Sequence, residues 1–209
     1  VASLTVIFIP NFEKGLMDQK KEMIRELTNS AWSILSEFEE LRQQDSISLE
    51  VAQKTAISRI KDLRYGDESK DYFWITDMQP RMIMHPYRPE LDGEDLSDYR
   101  DPKGKKLFVE SVKKVNETGS GYIDYMWQWQ DDSSKIVPKL SYVKGFEEWG
   151  WIIGTGIYLE DVKEKISSMT RGLVRISLII IGIIIVILAY LIRQSLKMEQ
   201  KRRIADEEK

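Results

Sequence analysis

The spacing of apolar residues changes twice along the chain, from a helical repeat to strict alternation and then to one continuous apolar run. From Asn11 to about Gln44 apolar residues recur every seven positions, which predicts one long helix with a coiled-coil-like stripe. The two rows of this stripe are Met17, Ile24, Ala31 and Phe38, and Leu27, Ile34 and Leu41. The polar break after Gln44 contains Ser48, a favourable N-cap, so a second helix is expected to run to about Leu63.

Beyond Leu63 the apolar spacing shortens to two residues, which predicts β-strands. Five strands are expected, over DYFWITD (71–77), RMIMHP (81–86), GYIDYMWQW (121–129), KLSYVKGF (139–146) and WGWIIGTGIY (149–158). The connection Tyr87–Thr118 begins with turn residues and then takes a helical spacing at Leu107, Val112 and Val115. Long connections of this kind on a sheet often carry function.

One apolar run near the C-terminus indicates a membrane protein. Residues 176–192 contain 17 residues without a charge. At about 1.5 Å per residue a helix of this length reaches about 26 Å, close to the thickness of a bilayer core. We therefore expect a transmembrane helix over 173–192 and the start of a cytoplasmic signalling helix over 193–209, since basic residues follow the run. The alternative is a buried core helix, although such helices usually keep a polar face.

The first ten residues, VASLTVIFIP, are predicted to be the end of a first transmembrane helix, 1–10. A signal-peptide remnant is the alternative. On either interpretation residues 11–170 form one extracytoplasmic domain. Because the chain starts with Val1 rather than Met and ends in a helical pattern, we expect the protein to continue beyond both ends.

Composition excludes several classes of chemistry. The chain of 209 residues has a formal net charge of −3 and no cluster of Lys and Arg with interleaved aromatics, so no nucleic-acid partner is expected. The absence of cysteine excludes disulfides, thiolate metal sites and a cysteine nucleophile. A single histidine cannot form a His-based metal cluster, and the acidic run ELDGEDLSD lacks calcium-loop spacing. Asp101 in DPKG is expected in a solvated turn rather than at a metal, so no metal, cofactor or catalytic residue is predicted.

Several motifs, in their order along the chain, resemble the single Cache type 2 family of PAS-like sensor domains. The motifs are YGDESKDYFWITD, MIMHP, DGEDL, DPKGKKLF, GSGYIDYMW and PKLSYVKGFEEWGWIIGTGIYLEDV. The resemblance covers about Leu4 to Lys163. It implies an α+β fold in which a long N-terminal helix packs on a five-stranded antiparallel PAS-like (Cache) sheet, here followed by a transmembrane helix.

The resemblance also implies a function. Members of this family are extracytoplasmic sensors of histidine kinases, chemoreceptors and diguanylate cyclases, and many bind small carboxylates such as acetate, propionate, pyruvate or lactate without catalysis. The expected partners are a small organic acid, the membrane and a second copy in a homodimer. The tail 193–209 does not resemble a HAMP linker, which favours a sensor histidine kinase over a diguanylate cyclase or a chemoreceptor. A ligand-independent dimerisation module is the alternative from another class, supported by the heptad stripe.

A small carboxylate has few carbon atoms, so charged hydrogen bonds must supply much of its affinity. Alternation along KLSYVKGF puts Lys139 with Ser141 on one face and Lys144 on the other, so both lysines cannot face one pocket. Tyr142 shares the face of Lys144. Lys139, which follows Pro138 at the predicted start of a strand, is the expected anchor, and Lys144 is the second choice.

His85 lies at the family's M-x-HP position, where the resemblance allows it to donate to the carboxylate; the bound anion would then keep the imidazole charged. The structural alternative is a histidine that anchors the loop after Pro86 through a backbone carbonyl. Aromatic residues would complete an apolar cavity edged with hydroxyl groups, although each alone is also consistent with core packing. They are Tyr72, Trp74, Tyr125, Trp127 and Tyr142. Gly154 and Gly156 mark a close approach of the ligand or of the N-terminal helix.

Overall fold

Four α-helices and six strands form the described part of this computed structural model, which comprises residues 2–66 and 68–207. They are α1 (Ala2–Gln43), α2 (Leu49–Asp62), β1 (Arg64–Tyr65), β2 (Asp71–Asp77), β3 (Met82–Met84), α3 (Leu107–Thr118), β4 (Ser120–Trp129), β5 (Asp132–Phe146), β6 (Trp151–Tyr158) and α4 (Leu159–Glu207). The chain divides into two compact units, Val1–Lys163 and Glu164–Lys209.

Helix α1 packs through a single apolar face. Residues spaced by three or four positions are buried on this face, as expected for a helix lying on a core. They are Ile24, Thr28, Ala31, Leu35 and Phe38. The second predicted heptad row, Leu27, Ile34 and Leu41, is half-buried and packs against the same core. Because both rows are used inside the domain, the stripe does not by itself argue for a homodimer.

Polar contacts at two levels fix α1 to the rest of the domain. The indole N–H of Trp32 donates to the carbonyl oxygen of Gly145 at 2.8 Å. Near the end of the helix, the Glu39 carboxylate accepts hydrogen bonds from Arg42 at 2.7 and 2.6 Å and from the Trp149 indole at 2.7 Å. The Arg42 guanidinium in particular lowers the pKa of Glu39 to about 2. This carboxylate therefore stays charged and keeps its partners at any pH above the acid range.

Helix α2 begins where the sequence predicts. The Ser48 hydroxyl accepts a hydrogen bond from the backbone N–H of Val51 at 3.3 Å, which makes Ser48 the N-cap. Ala52, Ala56 and Ile60 lie four residues apart and are fully buried against α1 and the sheet. The cap thus sets the register that turns this apolar face inward.

The sheet is antiparallel, with strand order β1-β2-β6-β5-β4 and β3 as a further partner of β2. It has six strands rather than the expected five, because two residues, Arg64 and Tyr65, form a strand too short to produce alternation. Strand β5 starts at Asp132, seven residues before its predicted start at Lys139. Lys139 consequently lies inside a strand, where the direction of its side chain follows the alternation reliably.

Alternation divides the sheet between two layers. Phe73 and Ile75 of β2 pack with α1 and α2 in one apolar core. Tyr72 and Trp74, their neighbours in sequence, pack with α3 and the β3–α3 connection in a second core. The two faces of one sheet therefore support different layers.

The connection between β3 and α3 is an ordered cover over the second core. The backbone N–H of Gly93 donates to the carbonyl of Met82 at 2.7 Å, and the Met82 N–H donates to the carbonyl of Glu94 at 3.1 Å. Gly93 has a φ of +87°, which favours glycine at this turn. The DGEDL motif thus pairs with β3 like a short additional strand.

Asp101 fixes the end of this cover. Its Oδ1 accepts hydrogen bonds from the backbone N–H groups of Lys103 and Lys105 at 2.9 and 2.8 Å. Its Oδ2 accepts one from the N–H of Met126 in β4 at 2.9 Å. The expectation of a solvated turn was wrong, because Asp101 is buried and joins the turn to the sheet.

Helix α4 contains the apolar run. Among the described residues, Leu159–Arg203 is the helix long and apolar enough to cross a membrane by length and composition, with a mean hydropathy of 2.9 over an 18-residue stretch. The apolar side chains of its central part are exposed, which is not the pattern of a buried core helix. The boundaries 173–192 stay a prediction. For the predicted first span 1–10, Val1 and the side chains of residues 2–9 lie outside the described residues, and the backbone from Ala2 is part of α1.

The two glycines of β6 make room for side chains of neighbouring strands. A Cβ atom on Gly154 would lie 2.6 Å from the Trp74 ring, and one on Gly156 would overlap the Ser141 hydroxyl. The close approach expected at these glycines is therefore made by the sheet's own residues rather than by α1.

We predict that Gly154→Ala lowers the free energy of unfolding by about 1–3 kcal/mol, because the indole of Trp74 must move out of a packed core. Chemical denaturation followed by tryptophan fluorescence measures the loss. Gly121→Ala in β4 is the matched control, since its Cβ would meet only the aliphatic side chain of Lys114, which is free to rotate away. An equal loss in both variants would contradict the conclusion that the Trp74 ring is what leaves no room for a side chain at residue 154.

Candidate ligand-binding site

A small cavity lies between the sheet and α3. Its lining consists of Trp74, His85, Leu107, Phe108, Tyr125 and Trp127. These residues come from β2, the turn after β3, α3 and β4. The cavity volume is about 10 Å³, and a space of about 10–15 Å³ holds one water molecule. A ligand of several atoms can enter only if the aromatic side chains spread apart.

Edge-to-face contacts connect the aromatic residues around this cavity. The ring of Tyr72 lies 4.8 Å from the imidazole of His85, and the ring of Trp127 lies 6.1 Å from that of Tyr125. Trp74 contacts Phe108 at 6.2 Å between ring centroids. Five residues that the sequence predicts for the site are thus brought together. They are Tyr72, Trp74, His85, Tyr125 and Trp127.

Three polar atoms in this cluster are buried without a hydrogen-bond partner in residues 2–66 and 68–207. They are the hydroxyl oxygen of Tyr72, Nε1 of Trp74 and Nε2 of His85. An unpaired buried donor costs about 1–3 kcal/mol, so native structures rarely leave several together. Trp74 and His85 line the cavity and Tyr72 packs against His85, so this cluster is a candidate site for a ligand that carries acceptor atoms.

Lys139 adds a positive charge to the cluster. It is fully buried, with a side chain 1% exposed. Its Nζ lies 4.0 Å above the ring of Tyr72, and it donates a long hydrogen bond of 3.4 Å to the hydroxyl of Tyr158. Burial lowers the pKa of this ammonium group, and the carboxylate of Asp71 partly opposes the effect. Burial in turn raises the pKa of Asp71, and the charge of Lys139 partly opposes this effect.

The imidazole of His85 has a defined orientation and charge. Its Nδ1 accepts a hydrogen bond from the backbone N–H of Tyr87 at 3.2 Å, so the neutral ring carries its proton on Nε2. The backbone N–H of His85 donates to Asp92 at 2.8 Å. Burial lowers the pKa of His85 well below 6.5, and the charges of Lys139 and Arg88 lower it further.

One sequence alternative for His85 needs correction. Within the described residues the ring accepts from a backbone N–H and donates to no backbone carbonyl. Without a ligand, burial and two neighbouring cations lower the pKa of the ring and favour its neutral form. The charged ring expected beside a bound anion stays a prediction. Nε2 of His85 is left as a free donor.

Tyr142 and Lys144 lie on the opposite face of the sheet. The hydroxyl of Tyr142 donates to Ser120 at 2.8 Å, and Nζ of Lys144 donates to Asn29 of α1 at 3.0 Å. The structure therefore does not bring Tyr142 together with the other predicted site residues. The reason is the two-residue period of β5, which sends Lys139 to the cavity side and both of these residues toward α1.

Sequence reasoning missed four residues of the cluster. Leu107 and Phe108 line the cavity, although the spacing in this segment pointed only to a helix. Asp71 and Tyr158 are near Lys139, which follows from strand register rather than from any local pattern. Within the described ranges no group of three or more acidic or histidine side chains could hold a metal ion.

Comparison with known proteins agrees with this architecture. The family model for the single Cache domain 2 matches residues 16–172. The methyl-accepting chemotaxis protein McpP of Pseudomonas putida is 36% identical over 168 residues, covering 80% of this chain and 30% of that protein. The sensor histidine kinase MctS of Rhizobium johnstonii is 30% identical over 172 residues, covering 82% and 36%. The chain thus spans about a third of the length of the curated relatives it matches.

Two solved structures share the fold. A periplasmic sensor domain of a chemotaxis protein is 40% identical, with a TM-score of 0.64, covering 68% of this chain and 96% of that one. A Cache chemosensory domain described for its recognition of carboxylic acids is 41% identical, with a TM-score of 0.66 and coverage of 69% and 97%. Because the family model covers most of the chain and the two solved structures share its fold, this protein belongs to the single Cache domain 2 family of extracytoplasmic sensor domains.

Proposed function

We propose that this domain senses a short-chain monocarboxylate, of the size of acetate, propionate, pyruvate or lactate, outside the cytoplasm. One observation carries the proposal: Trp74 and His85, two lining residues of one small cavity, have unpaired polar groups, the unpaired Tyr72 hydroxyl belongs to a ring packed next to His85, and the buried Lys139 ammonium group lies over that ring. A carboxylate supplies negative charge and several acceptor sites at once, so it compensates both deficits. We assign the carboxylate to His85, Tyr72 and Lys139, and the hydrocarbon part to the apolar wall of α3.

The size of the cavity limits the ligand. The wall formed by Trp74, Phe108 and Trp127 is packed edge to face, and each ring that moves loses contacts. A ligand of few heavy atoms requires the least displacement. The related Cache chemosensory domain described for carboxylic acid recognition supports the same class of ligand.

A purely structural interpretation would make Lys139 one half of a buried pair with Asp71. Against it, Asp71 and Lys139 form no close ion pair in the part of the chain that the structure describes, and one oxygen of Asp71 is itself unpartnered. The unpaired groups also favour ligand binding over a ligand-independent dimerisation module, which would need no polar cavity.

We further propose that the domain belongs to a transmembrane signal receptor, with the apolar run of α4 as a membrane span. The sequence expectation favours a histidine kinase, whereas the relatives include a chemoreceptor and a histidine kinase alike. Both outputs are therefore candidates. Sequencing the coding region past Lys209 distinguishes them by the presence of a kinase or a methyl-accepting domain.

Binding of a monocarboxylate should stabilise the domain. At about 100 times its dissociation constant a ligand adds about 2.7 kcal/mol to the free energy of unfolding. Thermal unfolding of the full chain in detergent, followed by near-ultraviolet circular dichroism, tests acetate, propionate, pyruvate and lactate at millimolar concentration. Propionamide, which has the same shape without the charge, is the control. A well-folded chain that none of the four acids stabilises would rule out this ligand class.

Lys139→Met should weaken the affinity for the best acid by about ten- to a hundredfold, since a charged hydrogen bond to a buried anion is lost. The ligand-free variant should keep its stability, because methionine removes a charge that burial disfavours. Lys144→Met is the matched control, since that lysine lies on the face toward α1. Calorimetric titration of both variants measures the difference, and the reverse order of effects would make Lys144 the anchor.

His85 should remain neutral, with the proton on Nε2, throughout the range of about pH 5.5 to 8. Nitrogen-15 NMR of the imidazole reports this directly, because the chain contains one histidine. Below about pH 6.5 the imidazole binds a proton in the unfolded chain but stays neutral in the folded chain. The free energy of unfolding should therefore fall as the pH drops below this value.

The same histidine separates a ligand role from a structural one. His85→Ala should weaken acid binding in that range without altering its pH dependence, since a neutral donor is lost. A ring that titrates near its usual pKa, or full affinity in His85→Ala and His85→Asn, would remove His85 from the site as assigned.

A further inference from the structure

Lys139 and Tyr158 form a polar contact beside the proposed carboxylate site. The two residues stand directly opposite each other in the register of β5 and β6. In the described part of the chain, the hydroxyl of Tyr158 is the hydrogen-bond acceptor of the Lys139 ammonium group, at 3.4 Å. The same ammonium group lies 4.8 Å from the centre of the Tyr158 ring. The contact therefore restricts where the head of a long and flexible side chain can lie.

Tyr158 is itself held in place by rigid neighbours. Its hydroxyl accepts a hydrogen bond from the backbone N–H of Gln130, in the turn between β4 and β5, at 2.7 Å. Its ring stacks on Trp129 with 6.2 Å between centroids. Tyr158 is fully buried. Because the Tyr158 side chain is held from two sides, its hydroxyl can orient the flexible side chain of Lys139.

We propose that the Tyr158 hydroxyl positions the Lys139 ammonium group for the carboxylate, an inference that rests on the proposed function of the site. A lysine ammonium group has three N–H donors, and one of them is directed to Tyr158. The other two are left for the ligand. Because orientation is prepared before binding, less conformational freedom is lost when the anion arrives.

The contact also joins the site to the start of α4. Tyr158 is the last residue of β6, and Leu159 is the first residue of α4. Beside it, Lys135 lies over the ring of Trp129 and forms an ion pair of 3.6 Å with Glu160 in the first turn of the helix. Lys139 therefore contacts the residue that directly precedes α4.

The charge of Lys139 provides a direct measure of the contact. An acceptor hydroxyl favours the charged ammonium, so its removal should lower the pKa of Lys139 further. The titratable groups that face Lys139 from the surrounding strands and turn are Asp71, Tyr72, His85, Tyr125 and Tyr158. Lys20 and Asp161 act on Asp71 from α1 and α4. Of these groups, Tyr158→Phe removes only the hydroxyl of Tyr158.

Tyr158→Phe deletes this hydroxyl and keeps the ring. The variant should bind propionate about three- to tenfold more weakly at neutral pH, because the hydrogen bond that positions the Lys139 ammonium group is lost. Its affinity should also fall at a lower pH than in the wild type, because the anion requires a charged lysine. Calorimetry from about pH 6 to 9 measures both, in the full chain in detergent.

Tyr65→Phe is the matched control. Its hydroxyl also bonds to β6, at Thr155 and Gly156, but from the face that packs against α2. It should lose stability and keep the wild-type affinity and pH profile. If Tyr158→Phe resembles Tyr65→Phe in all three measurements, Tyr158 is a structural residue and the proposal is wrong.

A readout without ligand separates this inference from the proposed function. Carbon-13 NMR of the lysine ε-methylene groups follows the titration of Lys139, identified by the signal missing in Lys139→Met. The midpoint should move to lower pH in Tyr158→Phe and stay unchanged in Tyr65→Phe. If the wild type binds none of the acids, the proposed function is wrong, but the shift of the Lys139 midpoint still tests the contact with Tyr158. An unchanged midpoint in Tyr158→Phe would overturn the proposed positioning role.

Discussion

Enclosing the ammonium group of Lys139 is the constraint on which the site depends. Transferring a charge from water into a protein interior is unfavourable unless polar groups or an opposite charge replace the hydration. The domain replaces it incompletely, with the rings of Tyr72 and Tyr158, one long hydrogen bond and the field of Asp71. On the proposed function, the remaining deficit is what an anionic ligand would compensate. A fully paired lysine would leave no such deficit.

The fold tolerates the incomplete compensation of the Lys139 charge because the two faces of the sheet differ in their packing. The face toward α1 and α2 is an apolar core in which polar groups such as those of Glu39 and Trp32 are paired. The other face carries the unpaired groups of Tyr72, Trp74 and His85. Each strand contributes to both faces at every second residue. The core on one side can therefore hold the strands in register while the other side remains ready for a ligand.

The sequence predicts much of this arrangement and fails where the information is not local. Heptads, the Ser48 cap and alternation locate the helices, five of the six strands, and the opposite directions of Lys139 and Lys144. Alternation cannot detect the two residues of β1, and it gives no direction within WIIGTGIY because β6 is buried on both faces. The contact between Lys139 and Tyr158 depends on strand register. The neutral state of His85 depends on burial and on neighbouring charges, which no spacing of residues reveals.

The contacts of Asp101 have a consequence for how the receptor can assemble. Strand β4 is the last in the sheet, and an open edge of this kind is a template for a strand from another molecule. The carboxylate of Asp101 already occupies the N–H of Met126, and the Lys105 ammonium group covers the carbonyl oxygen of Asp124 at 2.6 Å. Continuation of the sheet into a neighbouring copy is blocked at these positions. The domain is thereby protected from aggregating through this edge of its sheet.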